Sequence, residues 1–221
     1  VAAGTYGLGG AGSGSQGVNS IDYDTVADVY DARLTAALGT ISISAQDTSS
    51  IVADVKSASI AASLTAAGSA VAIGVSLADA TIGGNVRASM RDSNVVAAKG
   101  LDILTTDNRY ISVVSEASSI SASTGIGAAL SGGGASATIT DRGTRQALLT
   151  GDGSQSVNLT GAARVLLTSE SRLEANISSM SIAAGMFAVA AAGATAWVNA
   201  AGQFYARAEG VDVTAASLTV N

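Results

Sequence analysis

The feature that most constrains this chain is an internal repeat with a period of roughly 60 residues. The tripeptide Ala-Ala-Gly begins at Ala2, returns at Ala66 and returns again at Ala183. Thr124-Gly125 stands where the intervening copy is expected. Repeats of this kind bury their apolar faces against their neighbours, so we expect the units to stack.

A second marker agrees with this period. Its copies are Gly39–Ile43, Gly100–Leu104, Ala163–Leu167 and Ser217–Asn221. A similar tail follows the first three copies and begins at Asp47, Asp107 and Glu170. The markers predict a single repetitive domain with four imperfect units at approximately 1–63, 64–122, 123–181 and 182–221, the last incomplete. We expect further repeats or another partner to complete the open unit.

Within a unit, apolar residues alternate with small ones at the period of a β-strand. Val71, Ile73 and Val75 alternate with Ala72 and Gly74. Turn signals separate such runs and predict about four short strands per unit. They are Gly83-Gly84, Asp92–Asn94, Lys99-Gly100 and Gly151–Gly153. A helix is the alternative for the alanine run Ala188–Ala194, since alanine is the best helix former.

The small residues Ala72, Gly74 and Ser76 would share one face of their strand. One interpretation is that this face fills the narrow interior of a solenoid. The other is that it forms a flat surface on which sheets of neighbouring molecules stack closely.

Composition excludes several classes of function. The chain has no His and no Cys, which removes Ser-His-Asp catalysis and ordinary zinc, haem or iron–sulfur sites. We therefore predict no cofactor. A net charge of −6 with only 11 scattered basic residues argues against nucleic acid as a partner. Three long uncharged stretches are rich in Ser, Gly and Thr, so no transmembrane segment is predicted.

Motifs for specific chemistry are weak. Asp22, Asp24 and Asp28 suggest calcium, but an EF-hand loop that starts at Asp22 would carry Ala27 where glycine is required. A solvated acidic strand face is the simpler interpretation. A polysaccharide-active enzyme that works with carboxylates alone is a less favoured alternative, because its candidates lie in different units or at solvent-type positions. These candidates are Glu116, Asp141, Glu170, Glu174 and Glu209.

Several runs resemble the Ala/Gly/Val-rich repeats of very large bacterial exoproteins, the leukotoxin-like and filamentous-haemagglutinin-like adhesins. The runs are Ala66–Gly68, Val71–Val75, Val86–Met90 and Gly100–Asp107. The resemblance implies export to the cell surface or the extracellular space, adhesion or matrix structure, and a β-solenoid. It brings no catalytic residues.

Together, these observations predict an all-β, parallel β-solenoid (β-helix-like) fold and a structural or adhesive role without enzymatic activity. The expected partners are copies of the chain, further repeats of the same chain, and a host or matrix surface. A subunit of a self-assembling extracellular fibre is the alternative, with end-to-end or strand-addition contacts. The predicted assembly residues are Val1, Ala2, Ala3, Gly4, Leu218 and Val220. Residues 1–17 are interpreted either as a donated strand or as the first strand of the first unit.

Overall fold

The computed structural model describes residues 2–221, and every regular element among them is a β-strand. The strands are β1 (Ala2–Ile21), β2 (Thr25–Tyr30), β3 (Arg33–Asp47), β4 (Ser50–Ile82), β5 (Val86–Arg91), β6 (Asn94–Thr124), β7 (Ala128–Asp141), β8 (Thr144–Leu159), β9 (Ala162–Ala184), β10 (Phe187–Ala200), β11 (Gln203–Thr214) and β12 (Ser217–Val220). No helix long and apolar enough to cross a membrane occurs in residues 2–221.

All strand pairs are parallel and link one coil to the next. Ala2 pairs with Ser63, 61 positions later, and Ala128 pairs with Phe187, 59 positions later. This long, regular offset makes the chain a parallel β-solenoid and confirms the predicted fold class. The ladders run through four successive coils, each joined to its neighbours by main-chain hydrogen bonds.

Each coil consists of two layers that lie face to face. We call them the front layer and the back layer. The front layer contains β1, residues 65–82 of β4, β7 and β10, and continues after its bend through β2, β5, residues 144–150 of β8 and residues 203–209 of β11. The back layer contains β3, residues 50–64 of β4, β6 and β9. Ser76 Oγ donates across the interior to the Val55 carbonyl (2.7 Å), and Thr105 Oγ1 donates to the Gln146 carbonyl (2.6 Å). These bonds show that the layers are in direct contact.

Aspartates and glycines turn the chain where its direction changes. Asp31 and Asp92 occupy equivalent corners between the layers, and both have a φ of 47°. The front layer bends at Gly84 and Gly143, whose φ values of 84° and 118° suit glycine. The corner and bend are therefore set by local backbone chemistry that recurs in successive coils.

The interior is lined by the small residues of the alternating pattern. Ala72, Gly74 and Ser76 are buried, whereas Val71 and Ile73 point outward. A Cβ placed on Gly74 would lie 2.6 Å from the Ser118 carbonyl oxygen of the opposite layer. The layers therefore approach too closely here for a larger side chain. The interpretation that these residues fill a narrow interior is confirmed.

The interior widens toward the corner that contains Asp92. There the largest apolar cluster packs between the layers, with Met90, Leu101, Ile103 and Leu149 fully buried. Toward the opposite corner the lining is mainly serine and alanine. Several buried serine hydroxyls there have no hydrogen-bond partner in residues 2–221, namely those of Ser57, Ser59, Ser121, Ser123 and Ser179. At this narrow end, serine fits because its side chain is small, and not because its hydroxyl forms a hydrogen bond.

Two details of the sequence interpretation are wrong. The strands are fewer and longer than predicted, up to 33 residues in β4, because β4 continues without a break through the corner that joins the back layer to the front layer. Lys99-Gly100 lies inside β6 and makes no turn. The alanine run Ala188–Ala194 belongs to β10, which confirms the strand interpretation over the helix alternative, because pairing with β7 overrides the helical propensity of alanine.

We predict that Gly74→Val destabilises the fold by about 1–3 kcal/mol, because the added side chain must push the two layers apart. The measurement is the free energy of unfolding in urea. Gly39→Val is the matched control, since a Cβ at Gly39 meets no atom within 4 Å. Equal stability of the two variants would contradict the close approach of the layers at Gly74.

Candidate functional site

A group of charged side chains is buried between the layers beside the bend of the front layer. We call Asp47, Asp107, Arg109, Asp141 and Arg145 the buried charge cluster. The exposed fraction of each of these side chains is between 0 and 4%. Charges are seldom buried this completely unless they are paired, so their partners decide what the cluster does.

Two aspartates bridge two arginines at the centre of the cluster. Asp107 accepts hydrogen bonds from Arg109 Nε (2.9 Å) and from Arg145 Nε (2.6 Å). Asp141 Oδ1 accepts from Arg109 Nη1 (3.1 Å) and from Arg145 Nη2 (2.7 Å). Each carboxylate thus faces two guanidinium groups, and this mutual pairing offsets the cost of burying four charges.

Asp47 extends the cluster into the first coil. It pairs in register with Asp107, and its Oδ2 lies 3.3 Å from Arg109 Nε. Its Oδ1 accepts hydrogen bonds from Ser49 and from the Tyr23 hydroxyl (2.8 Å). Burial acts to raise the pKa of Asp47, but these hydrogen bonds and Arg109 outweigh burial and hold the pKa below its ordinary value of 3.8.

The arginines also hold the backbone of the bend. Arg109 Nη1 donates to the Arg142 carbonyl (2.9 Å), and Arg145 Nη1 donates to the Gly143 carbonyl (3.2 Å). Burial acts to lower the pKa of Arg145, while Asp107 and Asp141 outweigh burial and raise it, so its charge is permanent. The arrangement binds three coils and the bend together, which is a structural task.

Sequence reasoning missed this cluster in part. Asp47 and Asp107 were matched as equivalent positions, and they do pair. Glu170 was matched to them wrongly, since Ser169 pairs with Asp107 and Glu170 pairs with Asn108. Asp141 was considered only as a candidate catalytic carboxylate, and it lies buried in the cluster instead. It follows the buried residues Ala137 and Ile139 at the strand period, and that spacing was the available signal.

The predicted calcium residues each contact a group of another coil. Asp22 lies 3.5 Å from Arg142 Nη2, and Asp24 accepts from the Asn85 backbone N–H (2.7 Å) and side chain (2.9 Å). Asp28 pairs with Arg91, whose hydrogen bond is the main cause that lowers the Asp28 pKa. Residues 2–221 contain no group of three or more acidic, His or Cys side chains arranged to hold a metal ion.

Three of the other candidate carboxylates form ion pairs on the outer surface. Glu116 lies 3.4 Å from Lys56 Nζ, Glu209 lies 2.7 Å from Arg207 Nη2, and Glu174 pairs with Arg172. The structure therefore does not gather them around a common cleft.

The predicted assembly residues lie in the first and last coils. Val1 is outside the described residues. Ala2, Ala3 and Gly4 belong to β1 and pair with β4, so residues 2–17 form the first strand of the first coil. Leu218 and Val220 belong to β12, pair with β9 and are 47% and 42% exposed. The two groups therefore lie at opposite ends of the stack of coils.

Comparison with protein-family models, with curated proteins and with solved structures found no match for this chain.

We predict that Asp107→Asn destabilises the fold by about 3–5 kcal/mol, because it leaves Arg109 and Arg145 buried with too little negative charge. Thermal and urea unfolding would measure the loss. Asp54→Asn removes an aspartate of the exposed pair with Lys56, and we expect a far smaller change from it. A loss of similar size in both variants would refute the assignment of Asp107 as the centre of the cluster.

The stability conferred by Asp47 should depend on pH. Because its folded pKa lies below 3.8, its carboxylate stabilises the fold above pH 3.8, and this contribution is lost as the pH falls through the lower folded value. Urea unfolding from pH 7 to pH 2 would compare wild type with Asp47→Asn. We expect the variant to be less stable at neutral pH and the difference to shrink below pH 3.8. A difference that stays constant throughout would show that Asp47 makes no such contribution.

Proposed function

We propose that this chain is a structural or adhesive segment of a secreted or surface-attached bacterial repeat protein, in which stacked coils form a supporting stalk. The observation that carries the proposal is the continuous parallel ladder, which joins every coil to the next along most of its length. Such a stack grows by adding coils and transmits load through main-chain hydrogen bonds.

The buried charge cluster supports the same role. Asp47 belongs to the first coil, Asp107 and Arg109 to the second, and Asp141 and Arg145 to the third. Their hydrogen bonds are satisfied only when the three coils are stacked in one register. A supporting element benefits from this, because a slip of one residue would turn buried charges outward and apolar residues toward the wrong face.

A self-assembling extracellular fibre is the second candidate, favoured by the two ends of the stack. In the described residues, β1 pairs only with β4 and β10 pairs only with β7, so each has an unpaired edge. The residues of β10 that continue the interior columns are exposed, including Ala188 and Ala190. A coil of another copy would cover this face and continue the ladder.

We expect protease treatment of intact source cells to release fragments that an antibody against this chain recognises, because the proposal places the chain outside the cell. The intact species on a denaturing gel should be several hundred kilodaltons for a stalk segment. A species near 21.4 kDa that sediments as filaments would support the fibre subunit instead. A soluble species protected from external protease until the cells are lysed would overturn both candidates.

A further inference from the structure

One outer surface of the stack is apolar, continuous and free of charge. It consists of the outward-facing residues within 8–16, 69–77, 128–136 and 187–195, one strand from each coil, and we call it the front apolar face. None of these four segments contains a charged residue. Val71, Ile73, Val75 and Leu77 project from it and are 37–52% exposed.

Glycines lie beside these projecting side chains, at positions where the fold does not require glycine. They are Gly10, Gly12 and Gly14 in the first coil, Gly132 and Gly134 in the third, and Gly193 in the fourth. None has a positive φ, and a Cβ at any of them would meet no atom closer than 4.0 Å. Glycine inside a strand weakens it and often marks a place where another backbone approaches closely. The glycines therefore point to a partner that packs against this face.

The projecting side chains of the second coil and the glycines of the third coil lie on neighbouring strands of the ladder. Ile73 pairs with Gly132, and Val75 pairs with Gly134. A twofold axis along the strands, between the second and third coils, would place Ile73 and Val75 of each copy over Gly132 and Gly134 of the other. The same axis sets the first coil over the fourth, where Val189 would lie over Gly10. At these positions the surface is thus complementary to itself, as a closed twofold interface requires.

The area of the face suits a dimer. Nine residues along each of four strands span about 30 Å by about 19 Å, or about 1,100 Å² over two copies, which exceeds the roughly 1,000 Å² expected of a specific interface. The outer surface of the back layer instead carries ion pairs between Lys56 and Asp54 and between Arg172 and Glu174. Because a twofold interface uses the same face of both copies, it is closed and pairing stops at two copies.

We propose that two copies of this chain pack their front apolar faces together to form a lateral dimer. The proposal does not rest on the stalk role, since either a monomer or a dimer can serve as a stalk. It also differs from end-to-end contact, because the residues involved lie on the side of the stack.

Sedimentation velocity and light scattering test the dimer directly. We expect wild type to have twice the 21.4 kDa mass of the chain, and Gly132→Glu/Gly134→Glu to be a monomer with unchanged circular dichroism. Gly39→Glu is the matched control, because Gly39 also has open space but lies in β3 on the back layer, and it should stay dimeric. A monomeric wild type, with or without affinity for lipid vesicles, overturns the proposal. So does a double variant that remains dimeric.

Cross-linking keeps the test decisive if the double variant fails to fold. The chain has no cysteine, so single cysteines can be introduced without competing thiols. A mixture of Ile73→Cys and Gly132→Cys proteins should form a disulfide-linked dimer under mild oxidation. A mixture of Ile73→Cys and Gly39→Cys proteins should not. Equal cross-linking in the two mixtures would contradict the proposed face.

Discussion

The close approach of the front and back layers is the constraint on which the rest of the structure depends. Where Gly74 faces the Ser118 carbonyl there is no room for a Cβ, so this part of the interior admits only small residues. Because small side chains bury little apolar area each, the narrow side of each coil gains less from the hydrophobic effect than an ordinary core. Stability must come from the long ladders and from the wider end near Met90 and Leu101.

The same constraint explains why larger apolar residues point outward on part of the front layer. An alternating strand offers two faces, and the narrow interior takes the small one. Val71 and Ile73 then have no place inside and remain on the surface. An apolar outer face is thus a consequence of a thin core. This accounts for a chain that is 48% apolar yet keeps many of its apolar side chains in solvent.

The general fold could be predicted from the sequence because the repeat and the strand-period alternation are both local patterns. The alternation at Val71–Val75 correctly separated the two faces, and Gly83-Gly84 correctly marked a bend. The register could not be predicted as well, since biased composition lets markers align one residue out of step, as Glu170 did with Asp107. The buried charge cluster was missed because its members lie up to 98 positions apart and come together only when the coils stack.

The third coil shows how this architecture accommodates a change in chain length. Between Thr150 and Gln155 the third coil carries three more residues than the fourth coil has between Glu209 and Val211. The two coils nevertheless pair again directly afterwards. Asp152 holds the extra segment by accepting bonds from the Ser154 backbone N–H (2.9 Å) and hydroxyl (2.6 Å). The outer corners of the coils are therefore graft points, at which a peptide epitope or a binding loop can be displayed at regular spacing without altering the layers that carry it.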